Sequence, residues 1–257
     1  MKSRLILAIA LGLAASSAMA SDAMLSLRFS DSAPGTPLPT GWKNYPMSRH
    51  RPKANIRLDL DGHSTVLHID ANRSAGGIAH VLDRSADQVL SWRWKVDHSV
   101  LNAEMETKQG DDFAARVYVF FDVPTSELTF GERLKLKLAR VVMGQQLPRA
   151  ALCYVWDNKH PIGTIAPNAY YGAVRTIVLQ SGDRRAGQWQ SQHRDLAADF
   201  RAAFGRPAPH ITGVAIASDT DNTDGHVNAW FGDLTFSSGA SASTSSTSTS
   251  TPTHGGI

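Results

Sequence analysis

The sequence predicts a mainly β chain: a two-sheet antiparallel, jelly-roll-like sandwich carrying two short amphipathic helices. Three observations predict it. Apolar and polar residues alternate at period two over nine or ten segments, the pattern of strands with one buried face. Turn residues punctuate those segments, as in Asp61-Gly62 and in the proline- and glycine-rich run at 33–42. Only two stretches repeat at helical spacing. Many alternating strands with few helices favour two packed antiparallel sheets.

In chain order, SLRFS (26–30) opens the first strand. NIRLDL (55–60) and TVLHID (65–70) alternate on either side of Asp61-Gly62 and read as a hairpin. GIAHVL (77–82) follows. In QVLSWRWKV (88–96), Trp92, Trp94 and Val96 share one face, with Arg93 and Lys95 on the other. In GDDFAARVYVFFD (110–122), Phe113, Ala115, Val117, Val119 and Phe121 share a face, and Asp112, Ala114, Arg116, Tyr118 and Phe120 share the opposite one. LTFGERLKLKLARVVMG (128–144) places Phe130, Leu134, Leu138 and Val141 on a helical stripe, although its LKLKL also alternates. ALCYVWD (151–157) and GAVRTIVLQ (172–180) read as strands. HRDLAADFRAAFG (193–205) reads as a helix with the stripe Leu196, Phe200 and Phe204, closed by Gly205. ITGVAIAS (211–218) and NAWFGDLTF (228–236) close the domain as neighbouring strands joined by a long polar hairpin.

The ends differ in composition from the middle. Residues 1–20 combine Lys2 and Arg4, the apolar core LILAIALGLAA and Ala18-Met19-Ala20, as an export signal does. The mature chain is expected to begin at Ser21 and to be periplasmic or secreted, with no membrane span after cleavage. Residues 237–257 hold 13 Ser or Thr in 21 residues and no Asp, Glu, Lys or Arg, so a disordered tail is expected there. Residues 21–236 form the one domain. Loss of Lys2 and Arg4 brings 26 Lys and Arg down to 24, against 23 Asp and Glu. That near-neutral balance, with no basic run, excludes nucleic acid as a partner. Cys153 is the single cysteine and sits in an apolar run, as a small buried hydrophobe rather than a nucleophile.

Several motifs occur in this order: LSWRWKV, GDDFAARVYVFF, YVW, Ser181-Gly182, FGRPAPHITGVAIASDTDNT and AWFGDLTF. In that order they resemble the bacterial exported family known as domain of unknown function 3047, from about Leu25 to Phe236. The resemblance supports the fold and the boundaries; the family brings no assigned chemistry. The closing strands also resemble those of jelly-roll carbohydrate-binding modules, which implies that an acidic residue of the last strand, here Asp233, lies near a structural calcium.

Chemistry is sought first in SDTDNTDGHVNAWFGD (218–233). Asp219, Asp221, Asn222, Asp224 and Asp233 are the candidate ligands of a calcium ion, which takes six to eight oxygens. The spacing is not that of an EF-hand. The alternative is an Asx-rich turn. Asp112, Asp219 and Asp221 are candidate catalytic carboxylates for glycosidic hydrolysis, which needs two at about 5 to 10 Å. The alternative pairs Asp112 with Arg116 or Arg93. Arg93, Lys95, Arg116, Tyr118 and Arg175 could form one ligand-binding face, and Trp156 a stacking platform or a core residue. The ten histidines show no metal-ligand spacing, and no nucleophile elbow, P-loop or dinucleotide fingerprint is present. The reading these observations favour is an exported, non-catalytic sandwich binding a polar ligand, a saccharide or envelope glycan. The alternatives are a glycan-active hydrolase or lyase using Asp112, Asp219 or Asp221, and a protein-interaction module.

Overall fold

Period-two patterning becomes fourteen strands and one helix in the computed structural model, which describes residues 23–45, 47, 51–124, 126 and 149–239. The strands are β1 (Leu25–Leu27), β2 (Trp42–Tyr45), β3 (Asn55–Asp61), β4 (Ser64–Asn72), β5 (Ala75–Arg84), β6 (Gln88–Val96) and β7 (Phe113–Phe121). Then follow β8 (Ala150–Asp157), β9 (Ile165–Pro167), β10 (Val174–Ser181), β11 (Gln190–Asp195), helix α1 (Leu196–Phe204), β12 (Ile211–Asp219), β13 (His226–Phe231) and β14 (Leu234–Ser238). The first sheet runs β1-β14-β6-β13-β4-β3, with β11 on the free side of β6; the second runs β2-β5-β12-β7-β8-β10-β9. No described helix is long and apolar enough to cross a membrane.

The sheets meet across the face that the alternation marked. Trp92 lies 5.4 Å from Tyr154 and Trp94 6.2 Å from Trp156, ring to ring, and these rings join Val117, Val119 and Phe231 in the main core. Asp195 caps α1 by accepting from the Ala198 amide, and Gly205 stops it in the left-handed region at φ 71°. The buried face of α1 sets Phe200 4.6 Å from Phe121, closing one end of the core. At the β3–β4 hairpin Asp61 pairs with Ser64, and Gly62 supplies the positive φ of 63° that the two-residue turn requires.

Six expectations change. β8 and β10 pair in parallel, so the second sheet is mixed. Residues 158–173 supply the long return that a parallel pair needs. NAWFGDLTF is two strands, because the chain kinks at Gly232-Asp233 between its pairing with Val96–Trp94 and with Ser91–Gln88 of β6. β12 and β13 belong to different sheets, so the acidic stretch is a crossing between sheets rather than a hairpin. Phe113 leaves the face of Ala115 and joins Tyr118 on the other side, because the β7–β12 ladder slips between Ala217 and Asp219. One helix is found among the described residues where two were expected; the segment 128–144 lies outside them, as do residues 1–20 and 240–257. Ser237 and Ser238 of the expected tail belong to β14.

Candidate functional site

The central strands of the second sheet are buried on both faces. Opposite the main core, Tyr118, Cys153, Val155, Val178 and Ala217 form a second apolar cluster, overlaid by Tyr45, Met47, Met105 and Tyr171. Arg116 projects into it and is 2% exposed. A guanidinium there needs a full set of acceptors. Asp219, at the end of β12, takes Nε at 2.8 Å and Nη2 at 2.5 Å in a two-pronged pair, and Nη2 also donates to the Asp111 carbonyl at 2.5 Å. Nη1 donates to the Tyr118 hydroxyl at 3.1 Å and lies 3.5 Å from the Asp111 carboxylate. The Phe113 ring sits 4.4 Å from the guanidinium carbon. Burial works against the guanidinium charge, but Asp219, Tyr118 and Asp111 together outweigh it, Asp219 most of all, and the pKa stands above the usual arginine value. Burial pushes Asp219 up, against the pull of Arg116 and with a further push from Asp112 and Asp111.

The crossing from β12 to β13 is tied to the same point. Asp112 accepts from the Thr223 amide and hydroxyl, both at 2.7 Å, and from the Asn222 amide at 3.0 Å and side chain at 3.1 Å. Thr220 Oγ1 donates to the Ala71 carbonyl at 3.1 Å. Asp112, Asp219 and Asp221 each bring one carboxylate oxygen within 4.8 Å of the others. Among the described residues Asp221 has Arg51, at 3.9 Å, within ion-pair distance. Burial first, and Asp112 second, raise its carboxyl above the ordinary 3.8.

The three candidate carboxylates therefore converge, with Asn222 beside them. Asp224 does not join: it is exposed at φ 56°. Asp233 sits at the β13–β14 kink, where it accepts from the Phe29 amide at 2.8 Å, the Ser30 amide at 3.0 Å and the Ser30 hydroxyl at 2.6 Å. It is the clasp of the N-terminal strand. The pairing of Asp112 with Arg116 or Arg93 is also corrected, since Asp219 is the partner of Arg116 and Asp112 holds the crossing loop. Burial pushes the Cys153 thiol up to about 12, which rules it out as a nucleophile at neutral pH.

The expected cationic face divides. Arg116 and Tyr118 are buried in the second sheet, while Arg93 lies on the outer face of the first. Arg175 donates to the Gly172 carbonyl and, at 3.2 Å, to the Ala203 carbonyl, over the Phe204 ring at the end of α1. Trp156 is core, 1% exposed, with Nε1 donating to the Gly182 carbonyl at 3.0 Å.

The outer face of the first sheet instead builds a row that sequence reasoning missed. His68 stacks on Trp230 at 4.8 Å; Lys95 Nζ lies 4.6 Å from the Trp230 ring and 5.2 Å from that of Trp189; the Arg93 guanidinium lies 4.4 Å from Trp189. Asp61 fixes the row by accepting from Lys95 and from Trp189 Nε1, each at 2.6 Å. Trp189 and Trp230 remain half-buried. Beside the row runs an open groove of 380 Å³ whose walls include Ser91, Arg93, Ser191, His193, Asp233 and Thr235. Gly232 makes room for it: a Cβ there would stand 2.7 Å from the Arg93 stem. A lone tryptophan in the polar run GDRRAGQWQSQHRD was the one signal for this face.

The family described as "Protein of unknown function (DUF3047)" matches residues 40–235. No curated protein matches the chain. Among solved structures the chain is similar to the Emp47p carbohydrate recognition domain (TM-score 0.40, 11% identity, 83% of this chain and 95% of that one). It is also similar to Trichoderma harzianum endoglucanase 3 of family GH12 (TM-score 0.38, 10% identity, 79% and 100%). A third likeness is to the Endo-D glycoside hydrolase domain from Streptococcus pneumoniae R6 (TM-score 0.29, 10% identity), where 78% of this chain covers only 22% of that one. At such scores these likenesses assign no activity.

Proposed function

The chain belongs to the DUF3047 family, and from that footing we propose that it is an exported, non-catalytic sandwich that binds a saccharide in the groove beside Arg93. The observation that carries this reading is the groove wall. Hydroxyls of Ser91, Ser191 and Thr235, the His193 ring and the Arg93 guanidinium converge there, next to two half-buried tryptophans. A polyhydroxylated ligand needs that mixture of donors, acceptors and aromatic edges. Among the described residues the one carboxylate lining the groove, Asp233, is already engaged by the Phe29 and Ser30 donors. Hydrolysis would need two carboxylates flanking an accessible bond, whereas Asp112, Asp219 and Asp221 are buried. Export to the periplasm or beyond is proposed from residues 1–20 alone.

Titrating the full chain with a panel of neutral and acidic hexasaccharides is expected to change its tryptophan fluorescence for at least one of them. Arg93→Met and His193→Ala should each weaken that binding about tenfold, the size of one lost hydrogen bond to a charged or well-placed donor. No response to any member of the panel, or release of shorter sugars on incubation, would overturn the reading.

We further propose that the buried acidic cluster holds a cation such as calcium. Among the described residues the cations paired with Asp111, Asp112, Asp219 and Asp221 are Arg116 and Arg51, so carboxylates outnumber cations four to two. Asp112 and Asp219 are engaged by donors, and Asp221 would be the open ligand. Because the folded-state value of Asp221 is raised, its contribution to stability is complete below about 3.8 and is lost as pH rises through the raised value. In EDTA, wild type is therefore expected to lose ground to Asp221→Asn as pH rises from about 4 to neutral. Calcium at 100 times its Kd should restore about 2.7 kcal/mol to wild type alone. Melting curves unmoved by calcium at neutral pH would sink the cation.

A further inference from the structure

β11 is an edge strand, pairing only with β6 among the described residues. The groove lies on one side of it. On the other is a larger concavity of 610 Å³, formed where the turn between β10 and β11 folds back along the end of β8. That turn is rigidly held. The Gly182 amide donates to the Asp157 carbonyl at 2.9 Å, the Gly182 carbonyl accepts from Trp156, and the Gly187 amide donates to the Val96 carbonyl at 2.7 Å. Asp183 accepts from the Ser99 amide at 2.6 Å. The frame presents two consecutive exposed arginines, Arg184 and Arg185, on the rim. No described carboxylate lies within ion-pair distance of either. Lys159 lines the same concavity, with its charge shared by Glu104 at 2.6 Å. The rest of the wall includes the polar Asn158, Gln180, Ser181 and Gln190, the apolar Ile162, and Asp183, whose carboxylate already accepts from the Ser99 amide.

Two unpaired guanidinium groups on a fixed backbone favour an anion, and their paired N–H groups match a carboxylate. Neighbouring amides and a hydroxyl suit sugar hydroxyls. Gln190 lines this concavity and Ser191, its neighbour in β11, lines the groove. Successive strand residues face opposite ways, so a chain lying in one site reaches the other by crossing the edge of β11. We infer that the concavity beneath Arg184 and Arg185 is a subsite for the carboxylate of a uronic acid residue, and that the ligand is an acidic polysaccharide crossing β11. The inference rests on the groove reading for the position of the rest of the chain, and on the arginine turn for the charge.

The test compares two hexamers of one backbone, β-1,4-linked mannuronate and β-1,4-linked mannose, by calorimetric titration of the full chain. The variants are Arg184→Gln with Arg185→Gln, and Arg93→Met alone. The double variant is expected to weaken mannuronate binding about tenfold or more and to leave the mannose hexamer within about twofold. Arg93→Met is expected to weaken both. If both hexamers bind and the double variant changes neither, the subsite is overturned and the groove stands. If the double variant weakens mannuronate while Arg93→Met changes nothing, the subsite stands and the groove falls. Failure of both hexamers to bind wild type overturns both.

Discussion

Arg116→Ala is expected to destabilise the fold by about 3–5 kcal/mol, the cost of removing one partner from a buried ion pair. Asp219 would be left in an apolar cluster with the Phe113 amide as its remaining donor among the described residues, and the Tyr118 hydroxyl and the Asp111 carbonyl would lose theirs. At roughly 2–4 °C per kcal/mol for a domain of this size, the melting point should fall by about 6 to 20 °C. Replacing both partners, Arg116→Met with Asp219→Leu, is expected to recover part of the loss, because two apolar side chains suit the surrounding Val155, Val178 and Ala217. Recovery should be incomplete, since leucine leaves the Phe113 amide without an acceptor. The double-mutant cycle measures the coupling directly. A single-variant loss below about 1 kcal/mol would mean that water or another group satisfies Asp219, and the cluster would not be the lock described above.

The sequence carried the sidedness of its strands well and their assignment to sheets poorly. β6 is an instance of the first. Its nine residues alternate without a break, and Trp92, Trp94 and Val96 are buried while Arg93 and Lys95 are half-exposed. Alternation says which residues share a side, but it does not say which strand lies beside which. Arg93 and Arg116 therefore looked like members of one face, yet they stand on different sheets. β11 escaped notice because QSQHRD has no apolar residue, so its alternation of half-buried and exposed positions leaves no hydropathy pattern to read. Phe113 shows another limit. Its side of the sheet is set by a ladder slip opposite Asp219, a property of two strands together that neither sequence displays.

Trp156 and Trp189 divide for a similar reason. Trp156 lies in a run of apolar residues and belongs to a strand buried on both faces, so its position at a strand end did not expose it. Trp189 lies among glycines and charges, where nothing apolar competes for it, and Asp61, Arg93 and Lys95 hold it at the surface. The acidic residues were legible as a group because they are dense. Their division of labour was not, because it depends on the start of β7 meeting the end of β12. That meeting gives Asp219 to Arg116, Asp112 to the crossing loop and Asp233 to the N-terminal strand.

Asp112→Ala is expected to cost about 3 kcal/mol, through the loop rather than through the core. Asp112 is fully buried, and the Asn222 and Thr223 amides and side chains all converge on it. Hydrogen bonds to an ionised acceptor contribute about 1.5–3 kcal/mol each, and stranded donors add a penalty where water cannot reach them. The loss stays near that of one or two such bonds, well below the sum over four, because the loop is half-exposed and can turn its donors to solvent. Two measurements separate this lock from a merely packed side chain. Amide exchange at Asn222 and Thr223 should accelerate far more than at Val117 or Ile216 in the strands behind, since the crossing opens locally before the sheets do. Thr223→Val should cost much less in the Asp112→Ala background than in wild type, because its hydroxyl has no other acceptor to lose. Equal acceleration throughout the second sheet would instead make Asp112 part of the global core. Additive losses would show that the loop is held elsewhere, with Thr220 and the Ala71 carbonyl as the next contact to break.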